Sequence, residues 1–459
     1  MKRLASVWKN MSKSDYRETL QTRELYLLEV EAPGMYLLYA PLADCMLPVS
    51  EDDVMKLAAA MTSPEDADQD VMDILDALCD VEPVCDRKGH VRCAGDFINL
   101  SILPNNVCNF SCSYCYSAKG RSSQRLELWQ AIKMIDYFLD EKRNGSDFLT
   151  VSVFGGGEPL LSWKDLVRPA VEYLYERNGG ERRIVTTLIT NGSLIPEDFI
   201  GFCKAHEIDL VCSYEILRDV QDSQRKHYDL VTRNIRSLID NGVVPAVNSV
   251  ITLLNVERQE EMIRTLIAGF PEIRFAAFEP VISDEIGDKD EFYRKFTRSF
   301  LAARTIAQKH GVTLTCTALR NVDVTVDRYC AGELALCADG SISVCPCVSS
   351  PHEDNYGNYI YGKVDHEGVH IDEEKLSLLL SSNVYSQPWC RGCFAKWNCG
   401  GGCINNTLNN GGRPVPEYCR FVRTFLKYTL TRRLDEAWQE ENGVSVKEMI
   451  GEYECFIEK

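Results

Sequence analysis

Apolar and polar positions follow two rhythms along this chain. Between Glu24 and about Leu47, the short apolar runs LYLLEV and MYLLYA are separated by the turn-forming APG, which predicts two or three strands. SEDDVMKLAAAM follows, with Ser50 suited to cap a helix and Asp52 and Asp53 in its first turn. DQDVMDILDALC has helical spacing and predicts a second amphipathic helix. A polar segment, 1–21, therefore precedes a small α+β domain over 22–95, whose strands and helices fill about 22–85.

From Phe97 the rhythm changes. FINLSIL, LTVSVFG, RIVTTLIT, IDLVCS, VPAVNSVIT and IRFAAFEP read as strands, and amphipathic stretches such as ELWQAIKMIDYFLDEK and YDLVTRNIRSLIDNG lie between them. Six strands alternating with helices predict a parallel α/β architecture over 96–315. They are too few for a complete eight-unit barrel, so a partial (β/α)6 barrel and an open sheet both fit. In either, the loops at the C-terminal ends of the strands carry the chemistry. CNFSCSYCY follows the first strand and GGGEP the second. After a helix near 289–310 the periodicity fades. Residues 316–425 are rich in Cys, Gly and Asn and are expected to have little regular structure, so that metal clusters would hold them. A helix at about 417–440 and a tail, 426–459, close the chain.

Charge and composition narrow the function. The 459 residues carry 50 basic and 68 acidic side chains, a net charge of −18, which argues against a nucleic-acid binder. No apolar run is long enough to span a bilayer, and the first residues lack the apolar core of a signal peptide. A cytoplasmic protein is expected. In that compartment its 20 cysteines read as metal ligands rather than disulfides. Cys79, Cys85 and Cys93 have no ligand spacing and are expected to be structural, and Cys203 and Cys212 to be buried apolar residues.

Cys108, Cys112 and Cys115 share one loop. An iron–sulfur cube takes up to four thiolates, so three leave one iron open, and an open position marks a catalytic rather than a structural metal. CNFSCSYCY resembles the signature loop of the radical S-adenosylmethionine (SAM) superfamily. The resemblance implies that SAM binds the open iron through its amino and carboxylate groups and is cleaved to a 5′-deoxyadenosyl radical, which removes a hydrogen from substrate. It further implies that the Tyr114 backbone lies near the adenine, with Tyr116 beside it. FGGGEPL resembles the segment in which Gly156, Gly157, Glu158 and Pro159 hold the SAM amino group. LITNGSL resembles the next strand end, which places Thr190 and Asn191 near the ribose. Ser213 matches a further SAM contact, but SYEI departs from the acidic–glycine pair that usually follows it.

The C-terminal cysteines match the seven-cysteine pattern of the SPASM domain: Cys330, nine residues, Gly340, four residues, Cys345, then Cys390, Cys393, Cys399, Cys403 and Cys419. The resemblance implies two auxiliary 4Fe–4S clusters, three in all. One would use Cys330, Cys345 and Cys403, with Cys337 or Cys347 as fourth ligand or with an open site. The other would use Cys390, Cys393, Cys399 and Cys419. Several relatives with this layout are peptide maturases whose small front domain binds a leader peptide. The expected function is therefore installation of a cross-link in a ribosomally made precursor peptide, a thioether first and a carbon–carbon bond second, with a donor such as flavodoxin or ferredoxin supplying electrons. Two alternatives stand: an anaerobic sulfatase-maturating enzyme, and a non-catalytic iron–sulfur electron-transfer or scaffold protein. Pro346 replaces the acid that sulfatase maturases carry after the cysteine matching Cys345, and 107 residues precede the cysteine loop. Both count against the first alternative, and the intact GGGEP against the second.

Overall fold

In the computed structural model of this chain the described residues are 13–80, 91–282, 286–320, 322 and 324–452. Cys85 lies outside them. The front of the chain is a helix, Lys13–Gln21, followed by the strands β1 (Tyr26–Glu29), β2 (Met35–Ala40) and β3 (Cys45–Ser50) in an antiparallel sheet of order β1-β2-β3. The helix Glu51–Thr62 starts where expected: Ser50 Oγ accepts from the Asp53 amide at 3.2 Å, and Asp53 Oδ2 accepts from the Ser50 amide at 2.9 Å. Gln69–Cys79 is the second helix. Residues 13–21 of the expected polar segment are helical, and Tyr16 and Leu20 are buried against Leu38, Leu57 and Leu75. The opposite face of the sheet, Tyr26, Leu28, Leu37 and Tyr39, joins the largest core cluster with Phe394, Phe421 and Phe425. The small sheet is thus covered on both faces.

The main sheet contains all six expected strands: β4 (Asn99–Ile102), β5 (Phe148–Val153), β6 (Arg183–Thr190), β7 (Asp209–Ser213), β8 (Ala246–Ile251) and β9 (Phe275–Pro280). They run parallel, each beside the next, and a short seventh, β10 (Thr313–Thr315), extends the run beyond β9. The expectation of little regular structure after 316 is corrected here. There β11 (Leu334–Leu336) pairs parallel with β4, and β12 (Ser341–Ser343), β13 (Ile360–Asp365) and β14 (Gly368–Ile371) continue the sheet antiparallel. These strands have three to six residues. That is too short for a clear alternation, and Leu334-Ala335-Leu336 is apolar throughout because both its faces are covered. The helix Pro416–Asn442 follows, with Phe421 stacked on Tyr293 of the helix Lys289–Lys309 at 4.6 Å between centroids.

The two faces of the parallel run differ. Leu100, Ile102, Leu149 and Val151 face the helices Leu128–Leu139 and Arg168–Asn178. On the other face, register sets Ser101 beside Ser152 and Ser152 beside Thr187. The same face carries Ser213, Asn248 and Glu279. Burial alternates along β5, β7, β8 and β9, with the second set partly exposed. A parallel sheet packed on both faces is apolar on both. The second face is instead polar and partly accessible, the character of a cavity wall. Among the described residues, no helix is long and apolar enough to cross a membrane.

Candidate functional site

Both predicted motifs leave the sheet at the C-terminal ends of their strands and are laced together by main chain. The Gly157 amide donates to Asn105 O and the Glu158 amide to Val107 O, each at 2.8 Å. A Cβ on Gly157 would stand 1.9 Å from Val107 O, so only glycine lets the two loops meet. Gly155 and Gly156 have φ of +81° and +63°. The Asn105 side chain locks the crossing by donating to Glu158 O at 3.1 Å and Ser162 Oγ at 2.8 Å.

Glu158 is buried, and its carboxylate already has three donors: Leu160 N at 3.1 Å, Thr190 Oγ1 at 2.7 Å and Asn191 N at 2.8 Å. Burial raises its pKa and these bonds oppose the rise. Its visible work is to tie the GGGEP turn to the end of β6. Thr190 faces that turn and not the cavity. Asn191 Nδ2 donates to Asn109 Oδ1 at 2.9 Å and approaches Cys108 Sγ at 4.0 Å, so it joins the cysteine loop directly. Ser213 lies on the cavity face at the end of β7. Tyr116 is exposed, with the thiols of Cys347, Cys115 and Cys345 within electrostatic reach of its hydroxyl. Pro346 O lies 3.6 Å from where a Cβ of Gly155 would sit, which brings the Cys345–Cys347 segment to the same end of the sheet.

One group was not foreseen. The Tyr114 hydroxyl donates to Glu215 Oε1 and accepts from Arg225 Nη1 at 2.9 Å. Glu215 Oε2 accepts from Val250 N at 3.0 Å, and the Ser113 amide donates to Gln224 O at 3.0 Å. Glu215 is fully buried, which pushes its carboxyl up to about 7 against the pull of Arg225. The acidic residue in SYEI was the available signal; Arg225, ten residues on, had none.

The C-terminal thiols fall into two sets. Cys390 is pushed up to about 12 by burial and by Cys393 and Cys419, and Cys399 is raised by burial and by Cys393, Cys419 and Cys390. These mutual effects place the four together, with Cys419 delivered by the first turn of Pro416–Asn442. Cys403 is pushed up to about 11 by burial, with Cys345 and Cys330 nearby. Cys345 and Cys347 are free thiols that share a side-chain hydrogen bond, and both lie within electrostatic reach of the Tyr359 hydroxyl, as does Cys403. Cys337 is fully buried and donates to Ala335 O at 3.7 Å, with Cys345 within electrostatic reach.

These residues fit an iron–sulfur cluster and its ligand. Crowded buried thiols resist ionisation, and an iron cluster supplies the positive charge that makes them thiolates. Donors already point at sulfur: Arg121 Nη2 to Cys115 Sγ at 3.2 Å, and Gly332 N to Cys330 Sγ at 3.3 Å. On and against the cysteine loop, Asn106 Oδ1, Gln224 Oε1 and Arg225 Nε are buried without a protein partner, and so is Asn248 Oδ1 on β8. Buried polar atoms left open in one place are what a missing polar ligand leaves behind.

Residues 102–267 match the model of the Radical SAM superfamily. The chain carries a radical SAM domain. Members of that superfamily use SAM and a 4Fe–4S cluster. Over 170 residues it is 25% identical to the radical SAM cyclopropyl synthase TigE of Paramaledivibacter caminithermalis, a stretch that is 33% of this chain and 35% of the synthase. It is 20% identical over 378 residues to a cysteine-type anaerobic sulfatase-maturating enzyme of Clostridium novyi, covering 73% of this chain and 96% of that one. Among solved structures, anSMEcpe with bound AdoMet and the Kp18Cys peptide superposes at a TM-score of 0.59, with 16% identity, over 74% of this chain and 99% of the other. Streptococcus suis SuiB bound to its precursor peptide SuiA superposes at 0.51, with 15% identity, over 84% and 96%. At these identities the structural likeness is one of fold.

Proposed function

We propose that this radical SAM enzyme is a peptide maturase that cross-links a ribosomally made precursor, forming a thioether first and a carbon–carbon bond second. The observation that supports the reading is the cysteine loop laced to the GGGEP turn at one end of the sheet, with the Cys345–Cys347 segment brought to the same end. In this reading Cys108, Cys112 and Cys115 hold the SAM cluster. Cys390, Cys393, Cys399 and Cys419 hold one auxiliary cluster. Cys330, Cys345 and Cys403 hold the other, with Cys337 or Cys347 as the fourth ligand or with an open site. The six-strand parallel run curls as a partial barrel about the cavity. The bound cofactors supply hydrogen-atom abstraction. The protein's part is positioning: Gly156, Gly157 and Pro159 shape the crossing, Glu158 fixes it to Asn191, and Ser213 and the Tyr114 backbone face the ligand.

The front sheet binds the precursor's leader by strand addition. Glu51 N donates to Gly34 O at 2.9 Å, so in this register the main-chain groups of Met46 and Pro48 point to the outer edge of β3. Pro48 offers no donor there, which leaves the Met46 amide as the anchor. A flavodoxin or ferredoxin supplies electrons. SuiB, seen with a precursor peptide, supports the reading by its shared fold.

A second reading is favoured by the nearly full-length match to the sulfatase-maturating enzyme. The test is anaerobic incubation of the reconstituted enzyme, SAM and reductant with the precursor encoded beside its gene. Loss of two hydrogens per cross-link is expected by mass spectrometry. A formylglycine aldehyde on a Cys-x-Pro-x-Arg peptide would instead put the second reading first.

A further inference from the structure

One carboxylate on the cavity wall has no part in the arrangement described so far. Glu333 stands immediately before β11, three residues after Cys330. Its Oε2 accepts from Ser101 Oγ, and its main-chain carbonyl accepts from the Tyr361 hydroxyl at 2.9 Å. Its Oε1 accepts from no described protein group, and among the described residues no lysine or arginine pairs with it. Ser101 itself is buried and turned away from Leu100 and Ile102, onto the face that carries Ser152 and Thr187. The hydrogen bond to Ser101 therefore holds the Glu333 carboxylate against the polar face of the sheet, with the Cys345 thiol within electrostatic reach. Burial pushes its carboxyl up to about 6, against the pull of Ser101. A carboxylate in that range, with one oxygen open, is matched to taking a proton near neutral pH. Pro346, the residue after Cys345, offers no acid, so a base for this part of the cavity has to come from elsewhere on the wall.

We propose that Glu333 is a catalytic residue, the base that takes the proton from the peptide group joining the substrate carbon. The proposal rests on the peptide-maturase reading. The carbon first loses a hydrogen atom, breaking one C–H bond. The joining group, for a thioether a cysteine S–H, then bonds to that carbon. A C–S bond forms and the S–H bond breaks. Its proton passes to Glu333 Oε1, which becomes a carboxylic acid. The one electron left over needs an acceptor, which an oxidised iron–sulfur cluster held by the C-terminal thiols would supply. The peptide thus loses two hydrogens in all.

The experiment compares wild type, Glu333→Gln and Glu333→Asp as reconstituted full-length enzymes, with a precursor deuterated at the reacting carbon. The Gln variant should keep its iron content and precursor affinity within about twofold. It should still move deuterium into 5′-deoxyadenosine, yet lose cross-linked product by about a hundredfold or more, the usual weight of a general base. The Asp variant should recover part of the loss. A Gln variant that cross-links at the wild-type rate overturns the proposal. So does loss of iron or precursor binding in both variants, which would make Glu333 structural. A wild-type enzyme that cleaves SAM but alters no peptide overturns the maturase reading and this inference together, and is distinct from either outcome.

Discussion

At the scale of single residues the site depends on contacts with no slack. Gly157 is the clearest case, because a methyl group there would overlap the Val107 carbonyl. Gly157→Ala should cost about 3 kcal/mol through forced main-chain shifts and should lower both SAM affinity and iron content, measured by equilibrium dialysis and iron assay. Glu158→Gln keeps the shape but weakens three bonds to a buried carboxylate, so Asn191 should lose its hold beside Cys108. Glu333 gives a pH test. Burial raises its carboxyl from the ordinary 4.5 to about 6, so the folded chain holds this proton more tightly than the unfolded one. Its share of stability is whole below about pH 4.5 and is lost as pH rises through 6. Glu333→Gln should therefore flatten the change of the unfolding midpoint across that window in a thermal scan of the metal-free chain.

At the scale of elements, each thiol set should behave as a unit. Substituting Cys108, Cys112 and Cys115 together by Ala should remove about four of about twelve irons per chain and abolish SAM cleavage, while the other sets stay loaded. Substituting Cys390, Cys393 and Cys399 should remove a similar share. It should also unsettle the start of Pro416–Asn442, which brings Cys419 to them. The edge of β3 offers a milder perturbation. Met46→Pro removes the donor left on that edge, so leader affinity by fluorescence anisotropy should fall about tenfold, with SAM cleavage unchanged. Unchanged affinity would place the leader elsewhere.

At the scale of the whole molecule, the front unit is less separable than its sequence suggests. Tyr39 donates to Asn398 at 2.8 Å, Glu24 accepts from Lys396 and Trp397 at 2.7 Å each, and the Ala32 amide donates to Ile450 O at 3.1 Å. Removing residues 1–85 would bare Phe394, Phe421 and Phe425 and strip the partners of the segment leading to Cys399. The truncated chain should melt at lower temperature and lose about four irons. A truncated chain that keeps all its iron and its melting temperature would show the packing to be dispensable.

The sequence by itself determined what is local. Alternating apolar runs set the six parallel strands, the spacing of Cys108, Cys112 and Cys115 set one loop, and GGGEP set a turn where two loops meet. Each of these depends on neighbours within a few residues, so periodicity and spacing can state it. Only the tertiary structure decided what depends on the order of strands. Pairing of β11 with β4 put Glu333 on Ser101 across 232 positions. The return of Pro416–Asn442 put Cys419 with Cys390, Cys393 and Cys399. The ends of β7 and of the helix Arg218–Gln224 put Glu215 and Arg225 on Tyr114. What covers the second face of the small sheet was not legible either, because alternation counts apolar residues without saying what packs on them. Spacing along a chain fixes which way a side chain points, but what it meets is fixed by which distant segment the sheet places beside it.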